Sequence, residues 1–298
     1  MSTNPVLINL VVAHGLEAKP LISQFELRQH GADTNVYVSD AGVRLLLTGM
    51  GRKNVEYVLA KQRDDAGTAL PAAWLNIGIA GHQRLGVGET LLANKISGAA
   101  DQQSVYPTPL VSGLQTGPVI TVDEPELAYP EDAAYDMEAF AFWRAAASLG
   151  PLDLVQSFKL ISDNPDSGTE KVTPALISEL FAAAAAEIER LTSQLKEIAA
   201  TQQAMALESP ALLHIKESVR LSVTQEIQVR RLCQRFHALG MTDALQAILD
   251  DSYTGSRALI AAMQAALSDA DWREDRFRPK AEIESATEAE PSTRIKVQ

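Results

Sequence analysis

Three acidic side chains stand where apolar runs of this sequence give way to turns, and carboxyls so placed can bind polar ligands or move protons. Glu17 follows Val11-Val12-Ala13-His14-Gly15-Leu16, at the start of an amphipathic stretch. Glu138 belongs to Asp136-Met137-Glu138-Ala139, and Asp163 to Ile161-Ser162-Asp163-Asn164, which closes another apolar run. Between them lie two glycine turns, Leu47-Thr48-Gly49-Met50-Gly51-Arg52 and Asn76-Ile77-Gly78-Ile79-Ala80-Gly81. Glycine at such turns lets backbone amides approach a ligand with no Cβ in the way. Each signal also has a plain structural reading. Ser-Asp-Asn caps a turn or helix, and a first-turn glutamate complements a helix dipole. Glu138 also reads as a helical carboxylate at the core edge, and Met137 as core. His14 and His82 read as satisfied polar residues.

The elements that would carry these residues alternate. Strands are expected at Val6–Val12, Asn35–Ser39, Val43–Thr48, Ala73–Ile79, Thr90–Ile96, Val119–Val122 and Val155–Ile161. Several are rich in Val, Ile and Leu without clean alternation, as in strands covered on both faces. Helices are expected at Glu17–Gln29, Arg52–Asp64 and Tyr135–Ser148, the last with Met137, Phe140, Ala141 and Ala145 at helical spacing. The pattern is that of an α/β domain, in which ligands lie beyond the carboxyl ends of the strands. All the motifs above fall there.

After Pro174 the character changes. Residues Thr173 to Leu207 have high helix propensity, with five alanines from Ala182 and a stripe of Ile188, Leu191, Leu195 and Ile198. Ser209-Pro210 interrupts it. Further helices are expected around Leu213 and Val219, around Ile227, Leu232 and Phe236 up to Gly240, from a cap at Thr242 through Leu249, and over Ser256–Leu267. The organisation is therefore a main domain over 1–200, a helical extension over 201–272 and a disordered tail over 273–298.

Taken in order, the strand-end motifs resemble the nucleoside phosphorylase and nucleosidase superfamily, most closely its methylthioadenosine/S-adenosylhomocysteine nucleosidase and futalosine hydrolase branch. The resemblance covers about residues 6 to 196. It implies a three-layer α/β/α sandwich around a twisted mixed sheet, and hydrolysis of the N-glycosidic bond of a purine nucleoside. By the same resemblance Asp163 is the acid that protonates the departing base, and Glu17 the base that activates water. Glu138 accepts hydrogen bonds from the sugar hydroxyls, Met137 packs on the sugar, and Ser162 steadies Asp163. Gly49, Gly51, Gly78, Ala80 and Gly81 form backbone walls of the site. Thr48 and Arg52 are candidate phosphate or anion contacts, but the wider set of phosphate-clamping arginines of the phosphorolytic relatives is not evident. Phosphorolysis is the alternative reading, and a nucleoside-binding scaffold that has lost turnover is another. The connections from Ile96 to Val119 and from Val122 to Tyr135 are shorter than in the family. They leave Tyr106, Tyr129 and Tyr135 as candidates to stack on the base. The resemblance further implies a homo-oligomer, a dimer or higher.

Composition narrows the rest. A formal charge of −12 over 298 residues lacks the basic face that nucleic acid requires. The one cysteine, Cys233, excludes an intrachain disulfide and fits a reducing cytoplasm. The five histidines show no metal-ligand spacing. The apolar run near the start is too short to span a bilayer. We therefore expect a cytoplasmic protein with a small nucleoside as its partner, no metal, no organic cofactor and no membrane association.

Overall fold

The computed structural model describes residues 5–31, 33–63, 70–206, 210–251, 253 and 255–271. The chain divides into two units, Met1–Leu207 and Glu208–Gln298. The first is a mixed sheet with helices on both faces. Its strands are β1 (Ile8–Val12), β2 (Arg28–Gln29), β3 (Val36–Val38), β4 (Val43–Leu47), β5 (Ala73–His82), β6 (Thr90–Gly98), β7 (Gln103–Val105), β8 (Thr116–Thr121), β9 (Ala134–Asp136) and β10 (Val155–Asp163). Its helices are α1 (Gly15–Gln24), α2 (Arg52–Ala60), α3 (Ala139–Ala146), α4 (Pro174–Ala183) and α5 (Ala185–Ala206). The parallel strands β4, β1, β5 and β10 form its centre.

Alternation along these strands sorts side chains to two faces, because successive Cβ atoms point oppositely. Ile8, Leu10, Leu45, Ala73, Leu75 and Phe158 join Leu21, Leu180, Ile188, Leu191 and Leu195 from α1, α4 and α5. Val11, Leu46, Trp74 and Val155 instead meet Val55 and Leu59 of α2 and Phe142 and Ala146 of α3. The result is the expected three-layer arrangement. The far half of the sheet curls: β10 pairs with β6, β6 with β8, β8 with β9, and β9 returns to β5. That curl brings the carboxyl ends of β5, β9 and β10 together.

Local boundaries differ from the sequence expectation for identifiable reasons. The first helix ends at Gln24, and Arg28–Gln29 pairs with β3 as a short edge strand. The third helix starts at Ala139, after the N-cap Glu138, where Asp136 accepts hydrogen bonds from the backbone N–H of Glu138 (3.2 Å) and Ala139 (2.7 Å). Residues 134–136 before it pair with both β5 and β8. The long helix expected from Thr173 is two helices that meet at Ala184. On the second of them Ile188, Leu191, Leu195 and Ala199 are buried.

The second unit holds α6 (Pro210–Ser218), α7 (Val223–Ala238), α8 (Thr242–Leu249) and α9 (Ser256–Asp271) around its own core of Leu212, Ile215, Leu232, Phe236, Leu259 and Met263. Leu213 and Ile227 are half exposed, and Met241 rather than Thr242 is the cap of α8. Gly240 takes a φ of 65° as the chain leaves α7. The expected disordered tail over 273–298 lies outside the described residues. Among the described residues no helix is long and apolar enough to cross a membrane.

Candidate active site

The curled half of the sheet and the N-terminal ends of α1 and α3 enclose a cavity of about 370 Å³, within the usual range for a small-molecule site. Glu17, Glu138 and Asp163 all line it, with Met137, Ser162 and Tyr135. Three carboxyls distant in sequence therefore converge on one hollow.

Each acid is held by the element that presents it. Glu17 sits in the first turn of α1, where its Oε2 accepts from the His14 backbone N–H at 2.9 Å. Its Oε1 reaches across to β5 and accepts from the Ile79 N–H at 3.0 Å. A glutamate that only complemented a helix dipole would face solvent; this one is buried. Burial pushes its pKa up, against the opposing effects of those two N–H groups and the nearby Lys159 charge. Glu138 turns away from its own helix, and its Oε1 accepts from the Gly51 N–H at 2.6 Å. Burial, reinforced by the charge of Asp136, pushes Glu138 up to about 7. Asp163 ends β10 after a bulge: Ile161 is opposite Ala80, and Asp163 opposite Gly81. Such a bulge re-aims a side chain. Asp163 accepts the Ser162 hydroxyl on Oδ1 and the Tyr129 hydroxyl on Oδ2.

Behind the three acids is a charge that the sequence reading did not single out. Lys159, 1% exposed, donates to Asp136 Oδ2 at 2.7 Å and to Asn76 Oδ1 at 2.7 Å. Asp136 also takes the Thr121 hydroxyl at 2.6 Å, and Asn76 the Ser157 hydroxyl at 3.0 Å. The signal was present: a lysine inside a run of nine residues that are all buried needs a partner. Its partners, Asp136 and Asn76, stand at no recognisable spacing from it, so only the fold could name them.

The glycines mostly serve the protein's own acids. Gly51, with a φ of 87°, offers its N–H to Glu138. At Gly78 a Cβ would stand 3.1 Å from Glu17 Oε1 and 3.8 Å from Lys159 Nζ. At Gly81 a Cβ would overlap Asp163 Oδ2 and the Tyr129 ring. Ala80 and Gly81 line the cavity; Gly49, Gly51 and Gly78 do not. Thr48 and Arg52 are also off its wall. Thr48 donates to the carbonyls of Val12 or Gly49, and Arg52 is paired with Asp101 and with Asp123. Of the three candidate aromatics, Tyr135 lines the cavity, Tyr129 is buried against Asp163, and Tyr106 is 71% exposed. His14 lines the mouth and accepts from the Leu16 N–H, while buried His82 accepts from the N–H groups of Arg84 and Leu85.

Two measurements test this account. Lys159→Met leaves Asp136 buried without its counter-charge and should cost about 3–5 kcal/mol in urea unfolding. The pH dependence follows from Glu138. Its folded pKa of about 7 lies above the ordinary 4.5, so the unfolded chain ionises it first. Its contribution to stability is intact below the ordinary value and is lost as pH rises through about 7. The urea midpoint of the wild type should therefore fall more steeply over that interval than that of Glu138→Gln; parallel curves would contradict the assignment.

No family model and no curated protein matches the sequence. Solved structures do. A protein of Chlamydia trachomatis described as an MTAN matches at 19% identity and a TM-score of 0.51, covering 62% of this chain and 97% of that one. A variant of that protein bound to MTA matches equally, with 19% identity, a TM-score of 0.51 and the same coverage of 62% and 97%. The 5′-methylthioadenosine/S-adenosylhomocysteine nucleosidase (MTAN) of Campylobacter jejuni matches at 15% identity and a TM-score of 0.52, covering 63% of this chain and 99% of that one. The chain thus carries, almost from end to end, the fold of the methylthioadenosine/S-adenosylhomocysteine nucleosidases, within a polypeptide that extends beyond it.

Proposed function

We propose that this protein is a nucleosidase that hydrolyses the N-glycosidic bond of a purine nucleoside. The observation that carries the reading is the meeting of Glu17, Glu138 and Asp163 on one cavity. Cleavage of that bond builds positive charge on the sugar as electrons leave with the base. Four buried carboxyls, those of Glu17, Asp136, Glu138 and Asp163, surround the region, with the buried ammonium of Lys159 against them. The excess negative charge suits a developing oxocarbenium ion.

The roles follow from what each group can do. Asp163 gives its proton to a ring nitrogen of the base, the bond from the anomeric carbon to the base breaks, and the base leaves neutral. Glu17 takes a proton from water as the water oxygen bonds to the anomeric carbon. Its raised pKa makes it a stronger base than an ordinary carboxylate. Glu138 accepts hydrogen bonds from the ribose hydroxyls, for which it must be ionised, and Met137 packs on the sugar. The Asp163 and Glu17 protons then exchange with solvent to restore the starting state.

Water is favoured over phosphate as the nucleophile by the cavity wall. Among the described residues, no lysine or arginine lines it. Arg52, the candidate phosphate contact, is engaged by two aspartates instead. Phosphate would meet carboxylates at close range, which is unfavourable.

Base release from a panel of purine nucleosides tests the reading, with adenosine, inosine, methylthioadenosine and adenosylhomocysteine each assayed with and without phosphate. Turnover should be independent of phosphate; strict dependence on it would replace hydrolysis by phosphorolysis. Asp163→Asn should lower kcat by about 10²–10⁴-fold with little change in ligand affinity by calorimetry. A wild-type rate in that variant would remove Asp163 as the acid. The kcat/KM of ribosides should rise with pH through about 7, the Glu138 value, and Glu138→Gln should lose that limb.

A further inference from the structure

Tyr129, in the connection between β8 and β9, has no role in the chemistry above, yet its placement is tightly constrained. It is 2% exposed, and its φ of 45° lies in the left-handed region that side chains other than glycine rarely adopt. It also precedes Pro130, which further restricts its backbone. A residue persists in such a conformation only where its surroundings fix it. Here the fixing contacts are two. The phenol hydroxyl donates to Asp163 Oδ2, and the ring meets Tyr135 edge-on with centroids 6.0 Å apart. Gly81, opposite Asp163 in the sheet, provides the room, since a Cβ there would overlap both the carboxylate oxygen and the Tyr129 ring. Tyr129 itself does not line the cavity, whereas Asp163, Ser162 and Tyr135 do.

We propose that Tyr129 is the positioning residue of Asp163: from behind the cavity wall its phenol fixes the carboxyl and donates the hydrogen bond that stabilises the carboxylate left when the proton passes to the departing base. Together with Ser162, which donates to Oδ1, it gives both oxygens a hydroxyl donor. The phenol remains a donor throughout. Burial, then the hydrogen bond and charge of Asp163, and then Glu126 and Glu170 all push its own pKa up. The other titratable groups are Tyr135 beside the ring and His14, Glu17, Asp136 and Glu138 on the cavity wall.

The inference rests on the nucleosidase reading, so its test has an arm that needs no turnover. Tyr129→Phe keeps the ring and its contact with Tyr135 and removes only the hydroxyl. Its kcat should fall about tenfold, with KM unchanged because the residue does not touch the substrate. A wild-type kcat would overturn the proposal. So would a changed KM at constant kcat, which would make Tyr129 a substrate contact. In parallel, the Asp163 carboxyl is titrated by ¹³C NMR in wild type and Tyr129→Phe, its resonance identified by its loss in Asp163→Asn. A raised midpoint in the variant supports the proposal, and an unmoved midpoint overturns it. If the wild type releases no base from any nucleoside, the nucleosidase reading fails by itself, and this titration still decides the Tyr129 contact.

Discussion

An ammonium group enclosed by protein must be met by opposite charge, and in this molecule that requirement falls on Lys159. The side chain projects from the middle of β10, where every neighbour is buried. It is satisfied only because β9 delivers Asp136 and β5 delivers Asn76 to the same point. Asp136 in turn accepts from the N–H groups of Glu138 and Ala139 at the start of α3, which fixes where Met137 and Glu138 emerge. The curl of the sheet, the start of α3 and the spacing of the acids around the cavity thus share one electrostatic origin. If β9 slipped by one residue, Asp136 would turn to the opposite face and the ammonium would lose its partner.

The same network sets the character of the cavity acids. The Lys159 charge lowers the pKa of Glu17 and Glu138, while burial raises both by more. For Glu138, pushed up to about 7, this is the range in which a carboxyl can exchange protons with a bound molecule near neutral pH. Glycine contributes by absence. Gly78 and Gly81 leave the volumes that Glu17, Asp163 and Tyr129 occupy, and Gly51 supplies the one N–H that Glu138 needs. Of Gly51, Gly78 and Gly81, the last lines the cavity, and at all three the close approach is to the protein's own acids.

The connection between β8 and β9 builds part of the cavity wall. Val122, Pro125 and Glu126 contribute cavity wall, and Tyr129 folds underneath to meet Asp163. Tyr129, one of three candidates for base stacking, is engaged through its hydroxyl. Arg52 changes meaning in the same way, since Asp101 and Asp123 draw it away from the cavity. Both cases depend on acidic partners supplied by connections whose conformation has no periodic signature.

How much was legible in the residues themselves follows from the range of the forces involved. Apolar periodicity is local, so all seven expected strands, the two-sided burial of the central ones and the run of helices after Pro174 could be read from the sequence. The ordered motifs at strand ends likewise marked Glu17, Glu138, Ser162 and Asp163, because the carboxyl edge of an α/β sheet is a consequence of chain direction. The short strands Arg28–Gln29 and Ala134–Asp136 were not legible, since their pairing energy comes from distant partners rather than from their own pattern. Nor were Lys159 with Asp136, or Tyr129 with Asp163, because hydrogen bonds and ion pairs between strands remote in sequence leave no spacing to recognise. Sequence determined which acids could act; the packing of β5, β9 and β10 decided which charges and hydroxyls hold them, since burial makes each polar contact obligatory only once the chain has closed around it.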